Sequence, residues 1–313
     1  MDRRSFLTAS ACMGLIPQFA RAQAAAPKVV TAPPPLVGEL HLPDGAGRAP
    51  GLLILGGSEG GHGPAFHFAQ TFAKRGFASL GLAYFGDPGL PATLENVPLE
   101  YFTRAIDWLS THPAVDKTRI GVFGGSKGGE AALLIAARDP RIKAVVAGVP
   151  SSVAWQGYNP RNPINPGPSW ILGGKPIPYV PYDGSVPFTG VLDLYQRSLA
   201  KAAPDAVIPV ERINGPVLLV SARDDKLWPS AAMADQVIAR LDKAKFRYPH
   251  NNLAYDNAGH AGFGEPLPPG TVVPPAMLAQ LGGTAEGNLA MRADAWPKLL
   301  AFLDEALKPE RKG

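Results

Sequence analysis

Two kinds of hydrophobic pattern alternate along this chain. Short, almost wholly apolar runs recur at 52–55 (LLIL), 77–85 (FASLGLAYF), 120–123 (IGVF), 142–150 (IKAVVAGVP) and 216–225 (PVLLVSARDD). Runs of that length without polar alternation predict strands buried on both faces, the habit of parallel sheets. Between them, apolar residues fall at helical spacing. The segment ENVPLEYFTRAIDWLSTHP puts Leu99, Phe102, Ile106 and Leu109 on one stripe and closes at Pro113, and PAFHFAQTFAKRG stops at Gly76. Further helices are predicted over 131–137, near 229–241 and over 288–307, with one more strand at 253–256 and a short edge strand around Leu36, Gly38, Leu40 and His41. Strands alternating with helices predict an α/β domain with a mostly parallel central sheet, helices on both faces and right-handed crossovers.

Residues 151–214 break that rhythm. They are dense in proline, glycine and aromatics (WQGYNPRNPINPGPSW, KPIPYVPYDGSVPF), and so long an irregular stretch inside a compact domain predicts a lid or binding loop. Its end, VLDLYQRSLAKA, is expected to form one helix over the site.

The chemistry concentrates at 118–135, TRIGVFGGSKGGEAALLI, where an apolar strand collapses into glycines, presents Ser126 and restarts as a helix. Gly124, Ser126 and Gly128 spell GxSxG, a turn in which small neighbours let a serine take a strained conformation with its hydroxyl exposed. Glycine-rich turns after strands are common, so the pattern gains weight from the strand before it and the helix after it. Free amides at the start of that helix, beginning with Lys127, are placed to stabilise negative charge on a substrate oxygen, and the loop after 52–55 should add the amide of Gly57 or Ser58. The competing reading is that those glycines only turn the chain.

A serine hydroxyl needs a base, and the base an orienting acid. Only His250 and His260 lie far enough downstream. His260, framed by glycines in DNAGHAGFG after a predicted strand, is the expected base, whereas His250 precedes that strand and is expected to be a solvated loop histidine. Asp225 is the expected acid at the end of PVLLVSARDD, with Asp224 the alternative. Glu130 is accounted for by the helix dipole, which favours an acid in the first turn.

At 313 residues, with 46% hydrophobic and 18% charged residues, the chain can bury one large core. Of its formal charge of +4, residues 1–22 hold +2, Arg3, Arg4 and Arg21 against Asp2. No basic stripe interleaved with aromatics is present, so nucleic acid is not an expected partner. The opening MDRRSFLTASACMGLIPQFARA reads as a twin-arginine signal, cleaved after Ala22, that predicts export to a periplasm. An amphipathic helix or inner-membrane anchor, with a cytoplasmic protein, is the competing reading. The one cysteine, Cys12, lies inside that segment, and no later stretch offers the ~18 apolar residues of a membrane span. No metal is expected, since His62 and His67 stand five apart and no HExxH or CxxC occurs, and the glycine runs form no nucleotide-binding fingerprint, so no cofactor is expected.

With these residues in place, the chain resembles the catalytic domain shared by acyl-CoA thioesterases and bile acid-CoA:amino acid N-acyltransferase, an α/β-hydrolase. The resemblance covers roughly 51–307 and rests on LLILGGSEGG, LAYFG, LEYFTRAIDWLSTHP, GVFGGSKGGEAALL, IPVERINGPVLLVSARDDKLWP, DNAGH and GGTAEGNLAMRADAWPKLLAFL. It implies an α/β-hydrolase fold, a triad of Ser126, Asp225 and His260, and long-chain acyl thioester substrates. The amidating members carry cysteine at the nucleophile position, so Ser126 looks like the hydrolytic branch. The expected organisation is a signal over 1–22, a short lead-in with an edge strand over 23–50, and a catalytic domain over 51–313 with a lid at 151–214. The expected activity is thioester hydrolysis through an acyl-enzyme. An ester hydrolase, an acyltransferase, or an inactive binding protein of the same fold are the alternatives.

Overall fold

The computed structural model describes residues 28–45, 47–162 and 165–308; the segment read as an export signal lies outside them. Eleven strands follow in chain order: β1 (Val29–Thr31), β2 (Val37–His41), β3 (Ala49–Leu55), β4 (Ala78–Ala83), β5 (Val97–Pro98), β6 (Val115–Gly125), β7 (Ile142–Gly148), β8 (Trp170–Leu172), β9 (Lys175–Pro176), β10 (Val217–Ala222) and β11 (His250–Tyr255). The helices are α1 (Gly63–Ala73), α2 (Leu99–Thr111), α3 (Lys127–Ala136), α4 (Val191–Leu199), α5 (Ser230–Lys243), α6 (Pro275–Leu281) and α7 (Ala285–Leu307).

Eight strands form one sheet in the order β1-β2-β4-β3-β6-β7-β10-β11, parallel from β4 to β11, with β1 and β2 antiparallel at one edge. Successive side chains of β3 separate by face: Leu52 and Ile54 join a cluster with Phe72 of α1 and Leu299 and Leu303 of α7, and Leu53 and Leu55 join Phe102 and Ile106 of α2 and Val237 of α5. The apolar runs are unbroken because both faces are covered. Chain direction across the sheet reverses at β3, which is followed by β4 on one side and flanked by β6 on the other. Loops leaving the carboxyl ends of β3 and β6 therefore diverge, and the crevice between them is the standard ligand position of such sheets.

Three segments depart from expectation. The lead-in supplies two strands, and β3 begins at Ala49, so the main sheet starts before residue 51. Helix α2 starts at Leu99, because Val97–Pro98 instead pairs with Trp170–Ile171. His250 opens β11 and is no loop residue: its Nε2 lies 2.9 Å from Asp242 Oδ1 and its Nδ1 2.9 Å from the Tyr248 carbonyl. Burial favours the neutral ring there, but the two hydrogen bonds outweigh it and raise the pKa.

The 151–214 stretch folds over the carboxyl edge, with β8 and β9 joined to β5 in a three-stranded sheet and α4 close to its end. Glu130 ties this layer down. Completely buried, it accepts from the Trp155 amide (3.0 Å) and Trp170 Nε1 (2.6 Å) with one oxygen and from Lys127 Nζ (2.7 Å) with the other. Lys127 Nζ also donates to Ser169 Oγ at 2.9 Å. The helix dipole is thus a minor part of why an acid stands at 130. Burial pushes the Lys127 pKa down, and the Glu130 charge opposes the shift.

Removing one member of a buried pair strands the other, so Glu130→Gln should lower the unfolding free energy by about 3–5 kcal/mol in urea titrations. Adding Lys127→Met should recover part of that loss by removing the uncompensated cation.

Candidate active site

Ser126 is the single residue between β6 and α3, and its backbone stands at φ 57°, ψ −123°, a conformation non-glycine residues rarely hold. The flanking glycines are sterically required. A Cβ on Gly124 would come within 2.2 Å of the Gly128 carbonyl oxygen, and one on Gly128 within 2.3 Å of the Gly56 oxygen. The turn is packed onto the β3 loop, backbone against backbone. The Ser126 amide donates to the Gly148 carbonyl at 2.9 Å, leaving the hydroxyl at the crevice.

Three distant side chains meet there. Ser126 Oγ is 2.9 Å from His260 Nε2, and His260 Nδ1 is 2.8 Å from Asp225 Oδ2. Asp225 is 4% exposed, and its other oxygen accepts the amides of Leu227 (2.9 Å) and Trp228 (3.2 Å), which fixes the carboxylate as an acceptor toward the ring. The neighbouring Asp224 points to solvent and takes part through its backbone, donating to the Ala258 carbonyl and accepting from the Gly283 amide.

The loop carrying His260 is held by residues that the sequence pattern does not flag. Asn288, buried on α7, accepts the Gly259 amide at 2.8 Å and donates to the Gly282 carbonyl at 3.1 Å. Gly282 and Gly283, at φ 83° and 70°, bridge to Asp225 and Ala258, stitching the acid loop to the histidine loop. The only sequence signal was the GGT before the last helix, where Thr284 caps α7 by accepting the Gly287 amide at 2.9 Å.

Of the expected amide donors, Lys127 is the first residue of α3, a position whose N–H has no intrahelical carbonyl to bond. Gly57 lies against the serine, since a Cβ built on it would be 3.3 Å from Ser126 Cβ. Its amide is engaged at 2.7 Å by Glu59 Oε1, a residue the sequence reading did not single out. Ser58 lines the larger of two cavities. Tyr84 steadies this loop by donating to the carbonyls of Gly56 (2.8 Å) and Gly57 (3.2 Å). Burial, helped by the charges of Glu59 and Glu130, raises its pKa well above the usual phenol value, so it remains a donor.

Both cavities open on Ser126 and His260. The larger, about 530 Å³, is walled by Tyr158, Tyr182, Tyr195, Val191, Leu227 and Trp228, so α4 does cover the site. Burial pushes the Tyr195 hydroxyl up to about 12, and Tyr182 and Tyr195 hydrogen-bond each other at 3.2 Å. The smaller, about 160 Å³, lies between Phe68, Pro64 and Phe263. Among the described residues no group of three or more His, Cys, Asp or Glu side chains is placed to hold a metal ion, and no helix is long and apolar enough to cross a membrane.

Known proteins are similar to this chain in sequence or in fold. The chain is 31% identical over 286 residues to mouse (Mus musculus) bile acid-CoA:amino acid N-acyltransferase, covering 87% of this chain and 64% of that protein. It is 31% identical over 277 residues to human acyl-coenzyme A thioesterase 1, covering 86% and 63%. It therefore spans less than two thirds of the length of these curated relatives. A dienelactone hydrolase-like promiscuous phosphotriesterase from metagenomic libraries shares the fold, with a TM-score of 0.54 at 20% identity over 87% of this chain and 92% of that one. Residues 97–309 match the family model described as BAAT / acyl-CoA thioester hydrolase C terminal, and with that the chain belongs to this family.

Proposed function

We propose that this protein is a serine-dependent acyl hydrolase that cleaves acyl thioesters of the acyl-CoA kind. The observation that carries the reading is the unbroken hydrogen-bonded path from Ser126 through His260 to the buried Asp225. Family membership and the names of the relatives support the thioester as the bond cleaved.

In this reading, Ser126 Oγ attacks the acyl carbonyl carbon while His260 Nε2 takes its proton. Negative charge on the carbonyl oxygen is met by the Lys127 amide and by one from Gly57 or Ser58. Asp225 holds the ring with Nδ1 protonated and stabilises the imidazolium without taking the proton. Collapse breaks the carbon–sulfur bond, and His260 protonates the departing thiolate. Water, deprotonated by the same ring, then hydrolyses the acyl-Ser126 ester and restores the hydroxyl. The larger cavity, apolar and aromatic, is assigned to the acyl chain, and the 151–214 layer acts as its lid. Export through the 1–22 segment is part of the same proposal and is tested by cell fractionation with an Arg3,Arg4→Lys,Lys form.

A panel crossing acyl length with thiol, phenol and alcohol leaving groups tests the reading, and adding an amine acceptor distinguishes transfer from hydrolysis. Ser126→Ala should fold normally by circular dichroism, lose turnover by about a thousandfold or more, and no longer react with a fluorophosphonate. Asp225→Asn should lower kcat by roughly 10⁴-fold, the scale of loss for an acid that orients a catalytic histidine. Asp224→Asn should leave kcat within about threefold, because its carboxylate faces solvent; equal losses at 224 and 225 would refute the assignment.

A further inference from the structure

Glu59 belongs neither to the elbow nor to the path joining Ser126, His260 and Asp225, yet it lines both cavities that open on the serine. Its Oε1 accepts the Gly57 amide at 2.7 Å, and its Oε2 lies 2.7 Å from where a Cβ on Gly57 would stand, a point itself 3.3 Å from Ser126 Cβ. A carboxylate oxygen on a backbone N–H is the same kind of contact, an anionic oxygen on an amide donor, that the oxygen of a tetrahedral intermediate would make.

We infer that Glu59 is a displaceable occupant of the oxyanion site: its carboxylate satisfies the Gly57 amide in the free protein, and the acyl oxygen of the substrate takes its place. This rests on the role given above to Ser126, with Gly57 rather than Ser58 as the second amide donor. Two features make the exchange a side-chain event. The loop backbone is pinned, with Gly60 and Gly61 at φ 69° and 68°, the Gly61 amide donating to the Phe85 carbonyl at 2.9 Å, and a Gly60 Cβ excluded by the Phe85 ring at 2.7 Å. Glu59 itself is exposed, so its side chain rotates into water without moving that backbone. Like charge makes the departure necessary, because a carboxylate left beside the developing oxyanion would repel it inside a partly enclosed site. The Lys127 ammonium does not relieve that repulsion, being committed to Glu130 at 2.7 Å.

A hydrogen bond to an ionised acceptor shifts an equilibrium roughly ten- to a hundredfold, and a substrate must outcompete it. The occupant therefore acts as a built-in competitor: it raises KM and leaves kcat nearly unchanged, since at saturation it is already displaced.

The test compares the full-length wild type with Glu59→Ala and Glu59→Gln, using neutral p-nitrophenyl acyl esters and the rate of Ser126 labelling by a fluorophosphonate. Glu59→Ala should raise kcat/KM about tenfold or more through KM, with kcat within about twofold, and speed labelling by a similar factor; Glu59→Gln, neutral but still an acceptor, should fall between. The thermal midpoint of Glu59→Ala should fall by no more than a few degrees, the loss of the one hydrogen bond that the Gly57 amide makes with Glu59, with Glu59→Gln between it and the wild type. Equal kcat/KM and labelling in all three forms, or a loss in Glu59→Ala that falls on kcat, overturns the competitor role while leaving the serine hydrolase intact. No turnover and no labelling of Ser126 in any form overturns both.

Discussion

Everything at the candidate site depends on two backbone segments approaching more closely than a side chain would allow. Gly128 sits against the carbonyls of Leu55 and Gly56, and Gly124 against the carbonyl of Gly128 itself. That contact clamps the elbow from both sides, and only a clamp explains how Ser126 keeps a φ of 57°, a conformation costing about 1–3 kcal/mol when nothing enforces it. The enforcement comes from parallel pairing, since β3 and β6 run in register from Gly51–Ile120 to Leu55–Gly124 and deliver their loops to the same edge at the same height. A one-residue slip between them would separate Gly128 from Gly56 and bury Ser126 or turn it away.

His260 and Asp225 reach Ser126 by a different route. Neither is held by the sheet core; both sit on loops beyond β10 and β11, and those loops are joined to each other and to α7 through Gly282, Gly283 and Asn288. The carboxylate is fixed by two local amides, whereas the loop carrying the imidazole is fixed by a contact about 30 residues away in sequence. Geometry at the serine is thus set by strand register, and geometry at the histidine by the docking of the last helix. Helix α7 packs Leu299, Leu303 and Leu307 beneath β6 and β7, so both halves refer to β6.

Much of this was legible in the residues. Unbroken apolar runs mark the buried strands, and the stripe of Leu99, Phe102, Ile106 and Leu109 is buried throughout α2. Chain order and strand ends pointed to Ser126, Asp225 and His260, which the structure brings within hydrogen-bonding distance. What stayed hidden shares one cause. Glu59, Glu130 and Asn288 are polar residues in helices or loops whose partners are set by tertiary contact, so periodicity carries no trace of them. Glu130 had an adequate local explanation in the helix dipole, and its contacts with Trp155 and Trp170, 25 and 40 residues away, exist only once the 151–214 layer folds back. Val97–Pro98 was absorbed into a helix for the same reason, because its strand pairing is with Trp170 and Ile171.

Burying Lys127 and Glu130 beneath that layer calls for a reason other than stability. A buried ion pair gains little over apolar residues of the same volume, because desolvation offsets most of the attraction. An apolar pair would fill the space but leave the Trp155 amide and the Trp170 indole N–H without acceptors, and many placements of the layer would then be nearly equivalent. With a single carboxylate as acceptor for both, one placement satisfies every donor. Lys127 then couples this choice to the elbow, since its ammonium answers to Glu130 and Ser169 while its backbone is the first turn of the helix behind Ser126. Four walls of the larger cavity, Tyr158, Tyr182, Val191 and Tyr195, belong to that same layer, so the pair that orients the layer also bears on where an occupant would lie relative to the serine.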